Sequence, residues 1–134
     1  METKIVEYRT GSEPAVIDLS DAVVAFCRDK GDGLLNVFAA HATAGVAVIE
    51  IGSGTEEDLL ATLQQLLPRS YSWRHQHGAI GHGGDHVLPA LVSPSLTIPV
   101  VGGRPALGTW QSVVLVDPNR DNPVRQIRLS FVGG

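Results

Sequence analysis

A chain of 134 residues is long enough to bury the core of one domain and too short for two ordinary ones, so we predict a single domain over residues 1–134. With 43% hydrophobic residues it should be folded, and a net charge of −4 with scattered basic residues argues against nucleic acid as the main partner. One cysteine, Cys27, excludes an internal disulfide and a thiolate zinc site.

The sequence also bears on where the protein acts. The first residues lack the apolar run of a signal peptide, and no apolar stretch reaches the length of about 18 residues that a membrane helix requires. We therefore expect a cytoplasmic protein without a membrane partner.

The first half of the chain is predicted to alternate strands with two helices. Strands are predicted over residues 3–9, 34–41 and 46–51. A first helix begins after Asp18, whose carboxylate can cap it, and ends near residues 29–33. A second helix begins at Thr55, which forms an approximate capping pair with Asp58, and Pro68 stops it. Its apolar stripe, predicted to face the core, consists of Leu59, Leu60, Leu63, Leu66 and Leu67.

The second half is predicted to form an antiparallel β-meander. Prolines limit residues 88–91 to a short helix or bend. Residues 95–101 and 106–116 are predicted to pair as a hairpin, and residues 117–123 form a further turn. The last strand alternates, with Arg125, Ile127, Leu129 and Phe131 on one face and Gln126, Arg128 and Ser130 on the other. The predicted class is α+β, with a mainly antiparallel sheet and two main helices.

Residues 75–86 hold four of the five histidines, set among glycines. The fifth, His41, ends the strand predicted over residues 34–41. A metal ion held by His41, His82 and His86 is the sharpest interpretation, because three neutral imidazoles suit zinc or a similar divalent ion and leave a position open for water or substrate. The alternatives are a solvated loop and histidines that act only as hydrogen-bond partners.

Four other residues are further candidates for catalysis or for binding substrate. Glu50 lies in an apolar run, and either it or Asp85 is a candidate general base or a partner that orients a histidine. Asp85 is alternatively a turn residue or a helix cap. Arg74 and His75 are candidates for binding phosphate. The chain has no nucleophile elbow, Walker loop or dinucleotide-binding loop, which argues against serine hydrolase chemistry and nucleotide binding.

Several segments together resemble the YjbQ family, also called UPF0047. They are His41-Ala42-Thr43-Ala44-Gly45-Val46, Glu50, Gly81-His82 with His86, Ser93-Pro94-Ser95-Leu96-Thr97-Ile98-Pro99-Val100, and Gly108-Thr109-Trp110-Gln111. Their order and spacing match over nearly the whole chain. The last segment is the most specific, because a generic strand requires neither its tryptophan nor its glutamine.

The resemblance implies a compact α+β homotrimer with a site of clustered histidines and a bound divalent metal, zinc first and magnesium as the alternative. It implies a weak thiamine-phosphate synthase activity, which joins a pyrimidine diphosphate to a thiazole phosphate, and hence a small phosphorylated metabolite as partner. The family's histidine positions carry over onto the same three histidines, and Thr43 and Gln111 fall at positions expected to contact substrate. Two departures are Ala42, where the family has threonine, and the glutamate that usually follows the Trp-Gln strand, which here appears as Asp117 or is absent.

Three functions remain open on the sequence alone. In the first, the metal and the arginines Arg74 and Arg104 neutralise the diphosphate that leaves during a transferase reaction. In the second, a non-catalytic trimer binds a metabolite or a metal. In the third, a metal-dependent hydrolase uses Glu50 to accept a proton from the attacking water.

Overall fold

The structure, a computed structural model, describes residues 1–121 and 123–134, and these residues form eight strands and four helices. The strands are β1 (Glu2–Arg9), β2 (Ala15–Asp18), β3 (Gly33–Ala39), β4 (Gly45–Ile49), β5 (Ser95–Val101), β6 (Arg104–Pro105), β7 (Ser112–Asp117) and β8 (Val124–Gly133). The helices are α1 (Ser20–Cys27), α2 (Thr55–Leu66), α3 (His82–Asp85) and α4 (Leu88–Leu91). The turn predicted over residues 117–123 includes Asn122, which lies outside the described residues.

The strands form two antiparallel sheets. The larger sheet has the order β1-β8-β3-β5-β6 and the smaller one has the order β2-β7-β4. The two main helices are α1 and α2, and α4 is the short helix predicted over residues 88–91. The α+β class with mainly antiparallel strands is therefore confirmed. None of the helices in the described residues combines the length and the apolar composition needed to cross a membrane.

The core lies between the inner face of the larger sheet, the smaller sheet and α1. The alternation predicted for the last strand is confirmed: Ile127, Leu129 and Phe131 of β8 are buried, while Gln126 and Arg128 between them are exposed. The buried row continues onto β3 with Leu35, Val37 and Ala39, and α1 covers it with Val23, Phe26 and Cys27. Each fully buried aliphatic or aromatic side chain of this kind contributes about 1.5–3 kcal/mol to folding.

Two details predicted for α2 are wrong. The residue that caps its amino end is Gly54, and no side chain caps this end; instead the Glu56 carboxylate accepts a hydrogen bond from Gly52 N at 3.1 Å. The apolar stripe is also narrower than predicted, since Leu63 is buried but Leu66 is 61% exposed. The helix packs on the edge of a second, smaller core, and only one side of its apolar stripe is buried there. The buried residues of this core are Leu63, Leu88, Val114 and Val116.

The hairpin predicted in the second half is confirmed only where β5 turns back on β6 across Gly102-Gly103, and the predicted meander is wrong. β5 pairs with the two-residue β6, whereas β7 leaves this sheet and lies between β2 and β4 in the smaller one. The reason is visible in the burial of β7, where Val113, Val114, Leu115 and Val116 are all fully buried. A strand covered on both faces reads as a continuous apolar run, and such a run does not specify its partner strands. β2, a short strand, was not predicted at all.

A buried ion pair joins the two sheets. Asp117 ends β7 in the smaller sheet, and its carboxylate accepts a hydrogen bond from Arg125 Nε near the start of β8 in the larger sheet. The two side chains are 0% and 1% exposed. Arg125 also donates to the carbonyl oxygens of Val124 and Asp121, at 2.9 and 3.2 Å. The guanidinium is thus fully enclosed by acceptors at one end of both sheets.

Removing one partner of this pair should be strongly destabilising. In the Asp117→Ala variant the Arg125 charge stays buried without its carboxylate, so the free energy of unfolding should fall by about 3–5 kcal/mol in urea titrations. The matched control is Glu2→Ala, which removes an ion pair with Lys30 whose glutamate is 69% exposed, and should lose no more than about 1 kcal/mol. Equal losses in the two variants would show that the buried pair has no special role.

Candidate functional site: a histidine cluster

The histidine-rich segment is held in place by Trp73. After α2 the chain forms a loop that returns as the single turn α3, and the Trp73 ring packs directly against this turn. A Cβ atom added at Gly84 would lie 2.9 Å from Trp73 Cε2, and one added at Gly83 would lie 2.5 Å from Trp73 Cβ. Trp73 Nε1 donates to the Pro68 carbonyl at 3.0 Å. The glycines are therefore required for the close approach of α3 to the indole.

Three histidines converge on one point. His82 opens α3 and His86 follows it, so the separation of four residues places both rings on the same side, with their Nε2 atoms 2.7 Å apart. His75 comes from the preceding loop, and its ring centroid lies 4.1 Å from that of His86. One ring nitrogen from each of the three lies within 4.8 Å of the others. His75 Nε2 is buried and finds no hydrogen-bond partner among the described residues.

Asn119 fixes the tautomer of His82. The Asn119 side-chain nitrogen donates to the Asp121 carbonyl at 3.0 Å, so its oxygen faces His82 Nδ1, 3.1 Å away. The carboxylates of Asp121 and Asp85 lie 3.3 and 3.7 Å from the same nitrogen. Because all three neighbours are acceptors, Nδ1 carries a proton, and Nε2 on the other side of the ring faces His86 Nε2 at 2.7 Å.

His41 lies to one side of this cluster. It follows β3 and, together with His86, lines an open cleft of about 430 Å³. Its Nδ1 lies 2.9 Å from the hydroxyl of Thr43, which donates to the Asp117 carboxylate at 3.2 Å. The structure thus brings together His82 and His86 of the predicted triad, and the third member of the group with converging nitrogens is His75. Whether His41 also binds a metal stays a prediction.

Asp117 connects the two parts of the site. Besides Arg125 and Thr43, its carboxylate accepts a hydrogen bond from Asn119 N at 2.9 Å. Through Thr43 it reaches His41, and through Asn119 it reaches His82. One buried carboxylate at the junction of the sheets therefore orients histidines from two distant parts of the chain. Thr43, predicted to contact substrate, is fully buried in this role.

Asp85, which lies near His82, also forms an ion pair with Arg69. Arg69 Nη2 lies 3.3 and 3.1 Å from its two carboxylate oxygens and also donates to the Pro118 carbonyl at 2.8 Å. Burial raises the pKa of Asp85, and the nearby Arg69 guanidinium offsets part of this rise. The carboxylate is 5% exposed, so it is placed to orient His82 rather than to meet a substrate.

Burial also determines the charge of the histidines. The pKa of His86 is lowered first by burial and then by the neighbouring rings, of which His75 and His82 have the largest effects. The pKa of His41 is lowered by burial and by the Arg125 charge. Burial and the nearby rings of His77 and His82 lower the pKa of His75. At neutral pH these rings are uncharged, which is the form that binds a metal.

Three residues that the sequence predicted for the site, Glu50, Gln111 and Arg104, lie within one chain at the end of the sheets away from the histidines. Glu50 follows Ile49, which pairs with Ser112 at the start of β7, and Gln111 directly precedes that strand. Because Asp117 ends the same strand, about 17 Å separates the two ends. Arg104 begins β6 and pairs with the far end of β5. All three are exposed, and the structure does not bring them to the histidines. Arg74 does join the site, in a cleft with His75 and His86.

The sequence analysis missed Asn119 and Asp121. Their segment, Asp117-Pro118-Asn119-Arg120-Asp121, has the composition of an ordinary turn. The only available signal was an excess of hydrogen-bonding side chains directly after a fully apolar strand. Nothing in their spacing indicates that they face a histidine 37 residues earlier in the chain.

The fold and the site define a small two-sheet α+β protein with a cluster of three imidazoles at one end of its sheets. The chain belongs to the UPF0047 (YjbQ-like) family, whose sequence profile matches residues 4–134. The family resemblance seen in the sequence is thereby confirmed.

Comparisons with individual relatives support the same family assignment. The chain is 59% identical over 134 residues to UPF0047 protein Rv2556c of Mycobacterium tuberculosis, with 100% of both chains covered. It is 33% identical to a UPF0047 protein of Methanothermobacter thermautotrophicus over 98% of this chain and 92% of the relative. Among solved structures, a hypothetical protein of Aeropyrum pernix K1 superposes with a TM-score of 0.89 at 31% identity, with 100% of both chains covered.

The lowered histidine pKa values predict a pH dependence of stability. An unfolded histidine titrates near pH 6.5, and the folded rings titrate lower, so below about pH 6.5 the unfolded chain binds more protons than the folded one. Stability should therefore fall as the pH drops from about 7.5 to about 5.5 in urea titrations, and His86→Gln should reduce this fall. An identical fall in the variant would contradict the protonation states assigned here.

Proposed function

We propose that the protein binds a divalent metal ion at His75, His82 and His86. The observation that carries the proposal is the convergence of one ring nitrogen from each residue within 4.8 Å. Three further features support it: the pKa values of His75 and His86 are lowered, which favours their neutral forms, Asn119 holds His82 Nδ1 so that Nε2 of that ring faces the cluster, and His75 Nε2 is buried without a partner among the described residues. Imidazole nitrogens favour zinc over magnesium, which prefers oxygen ligands.

His41 has a secondary place in this proposal. It lines the cleft beside His86 and is oriented through Thr43, so it lies close to the open side of the cluster. We propose it as an additional or alternative ligand, as the family resemblance implies. The His41→Ala variant tests its role. If the metal is held by the three converging histidines, His41→Ala should weaken zinc binding less than His75→Ala does.

Zinc binding can be measured directly. In calorimetric titration of metal-free protein, His82→Ala should weaken zinc binding by more than about a hundredfold, and Asn119→Ala by about ten- to a hundredfold, because the latter only orients the ligand. His77→Ala is the control, since this exposed neighbour of His75 lies outside the converging group. The proposal fails if His82→Ala binds zinc as the unchanged protein does, or if His41→Ala loses binding while His75→Ala retains it.

We further propose that a small phosphorylated metabolite binds beside the histidines. The supporting observation is a cleft of about 360 Å³ lined by Arg74, His75 and His86, in which the exposed guanidinium can pair with phosphate oxygens. In a thiamine-phosphate synthase reaction, a thiazole nitrogen bonds to the pyrimidine methylene carbon while the bond from this carbon to the diphosphate oxygen breaks. A divalent ion would neutralise the diphosphate charge. Arg74 would bind the same group.

A product assay tests this activity. Purified protein supplied with the pyrimidine diphosphate and the thiazole phosphate should form thiamine phosphate, and His82→Ala should reduce the rate at least as strongly as chelation does. Arg74→Gln should raise KM for the diphosphate by roughly tenfold, the loss expected for one charge-assisted hydrogen bond. Undiminished product formation by His82→Ala would refute a role for the cluster in this reaction.

Non-catalytic binding of a metal or a metabolite is a second candidate function, and the positions of the two carboxylates favour it. Of the two carboxylates predicted as general bases, Asp85 is engaged by Arg69 and Glu50 lies at the far end of β4. We therefore assign a role in proton transfer within one chain to neither Asp85 nor Glu50. The hydrolase alternative is then without a general base among the predicted residues. Zinc binding without turnover of any phosphorylated substrate would establish this second function.

We also propose that the protein is a homotrimer. The number three comes from the family resemblance, and the structural support is the outer face of the larger sheet. There the apolar side chains of Leu34, Phe38 and Val132 are 51%, 40% and 53% exposed, and a partner chain would cover them. Light scattering should give three times the mass of the chain, and Leu34→Glu should dissociate the assembly. A monomeric mass for the unchanged protein would contradict the proposal.

A further inference from the structure

Trp110 is exposed in a way that one chain alone does not explain. It lies in the turn before β7 and is 74% exposed, although tryptophan is among the side chains that contribute most when they are buried at an interface. Glu50 and Gln111 flank this turn, since they follow β4 and precede β7 at the ends where these strands pair. The Glu50 carboxylate forms no ion pair with the residues that the structure describes. This end of the sheets thus presents a large apolar ring next to an acidic group.

The other end of the sheets has an open cleft beside the histidine cluster. The cleft measures about 430 Å³, which lies within the roughly 300–1,000 Å³ of small-molecule pockets and leaves room for an indole ring. Its apolar wall is formed by Phe38, Pro89, Pro94 and three alanines, and His41 and His86 line it as well. Phe38 also belongs to the outer face of the larger sheet, so the cleft continues the apolar surface on which the proposed homotrimer rests.

The charges near this cleft complement the charge near Trp110. Arg74 lies in the neighbouring cleft with His86, is exposed, and forms no hydrogen bond or ion pair with any other residue in the described part of the chain. A chain that placed its Trp110 in the cleft of a neighbour would bring its Glu50 to the end of the sheets that carries this guanidinium. Such a contact joins two different surfaces of the same chain. Repetition of a heterologous contact through a closing rotation gives a ring, which is the form of a homotrimer.

We propose that Trp110 of one copy occupies the cleft lined by His41 and His86 of the next copy, so that a second chain completes each histidine site. This contact rests on the homotrimer proposed above and defines which surfaces meet in it. An aromatic side chain buries about 150–250 Å² when it is enclosed, so the indole would cover the open side of the cleft and exclude water there. Gln111 and Glu50, which one chain leaves at the far end of its sheets, would then lie beside the histidines of another chain.

Light scattering of two variants tests the contact. Trp110→Ala removes the ring and Ala42→Trp fills the cleft, so each variant should have the mass of one chain, whereas the unchanged protein should have three times that mass. Both positions are exposed within one chain, so neither change disturbs a buried contact of the fold. Leu66→Ala is the matched control, because it removes an apolar side chain that is 61% exposed on α2, and it should keep the mass of the unchanged protein.

A mixture of the two variants tests whether the two surfaces meet each other. Trp110→Ala keeps an intact cleft and Ala42→Trp keeps an intact Trp110, so one contact can form between them but no ring can close. The mixture should therefore give twice the mass of one chain. The proposal is overturned if Trp110→Ala keeps the mass of the unchanged protein, or if the mixture stays at the mass of one chain. A monomeric unchanged protein would instead refute the homotrimer itself, and because all masses are measured without added zinc, none of them depends on the proposed metal site.

Discussion

The buried pair of Asp117 and Arg125 is the contact on which the site depends. Neither sheet alone can position the histidines, because His41 follows a strand of the larger sheet and Asn119 follows a strand of the smaller one. The carboxylate accepts hydrogen bonds from Arg125, Thr43 and Asn119, and so fixes the two strand ends relative to each other. A pair of apolar residues would fill the same space, but it would leave Thr43 and Asn119 without their acceptor and the imidazoles without fixed orientations.

The other half of the site is local. α3 is a single turn with two adjacent glycines, which is a poor helix by propensity. It forms because Trp73 packs on those glycines and because Arg69 holds Asp85 at its carboxyl end. A weak helix fixed by tertiary contacts is suited to a binding site, since the backbone approaches closely and the two histidines remain on one side.

Much of the fold and part of the site could be predicted from the sequence. The alternation in β8, the two main helices and the proximity of His82 to His86 follow from periodicity, which acts over a few residues. The placement of β7 in a separate sheet could not be predicted, because a fully buried strand shows no alternation. The inclusion of His75 and the positions of Glu50, Arg104 and Gln111 depend on which ends of the strands meet, and this is decided by long-range pairing that a single sequence does not reveal.

The proposed metal site rests on the three imidazoles that the fold brings together from two neighbouring segments, those of His75, His82 and His86. The most direct test is a crystal grown with zinc and measured on both sides of the zinc absorption edge. The account predicts an anomalous peak bonded to ring nitrogens of His75, His82 and His86, with Asn119 still bound to His82 Nδ1. A crystal with no peak at the cluster in excess zinc, or with the ion held elsewhere while His75 points away, would contradict it.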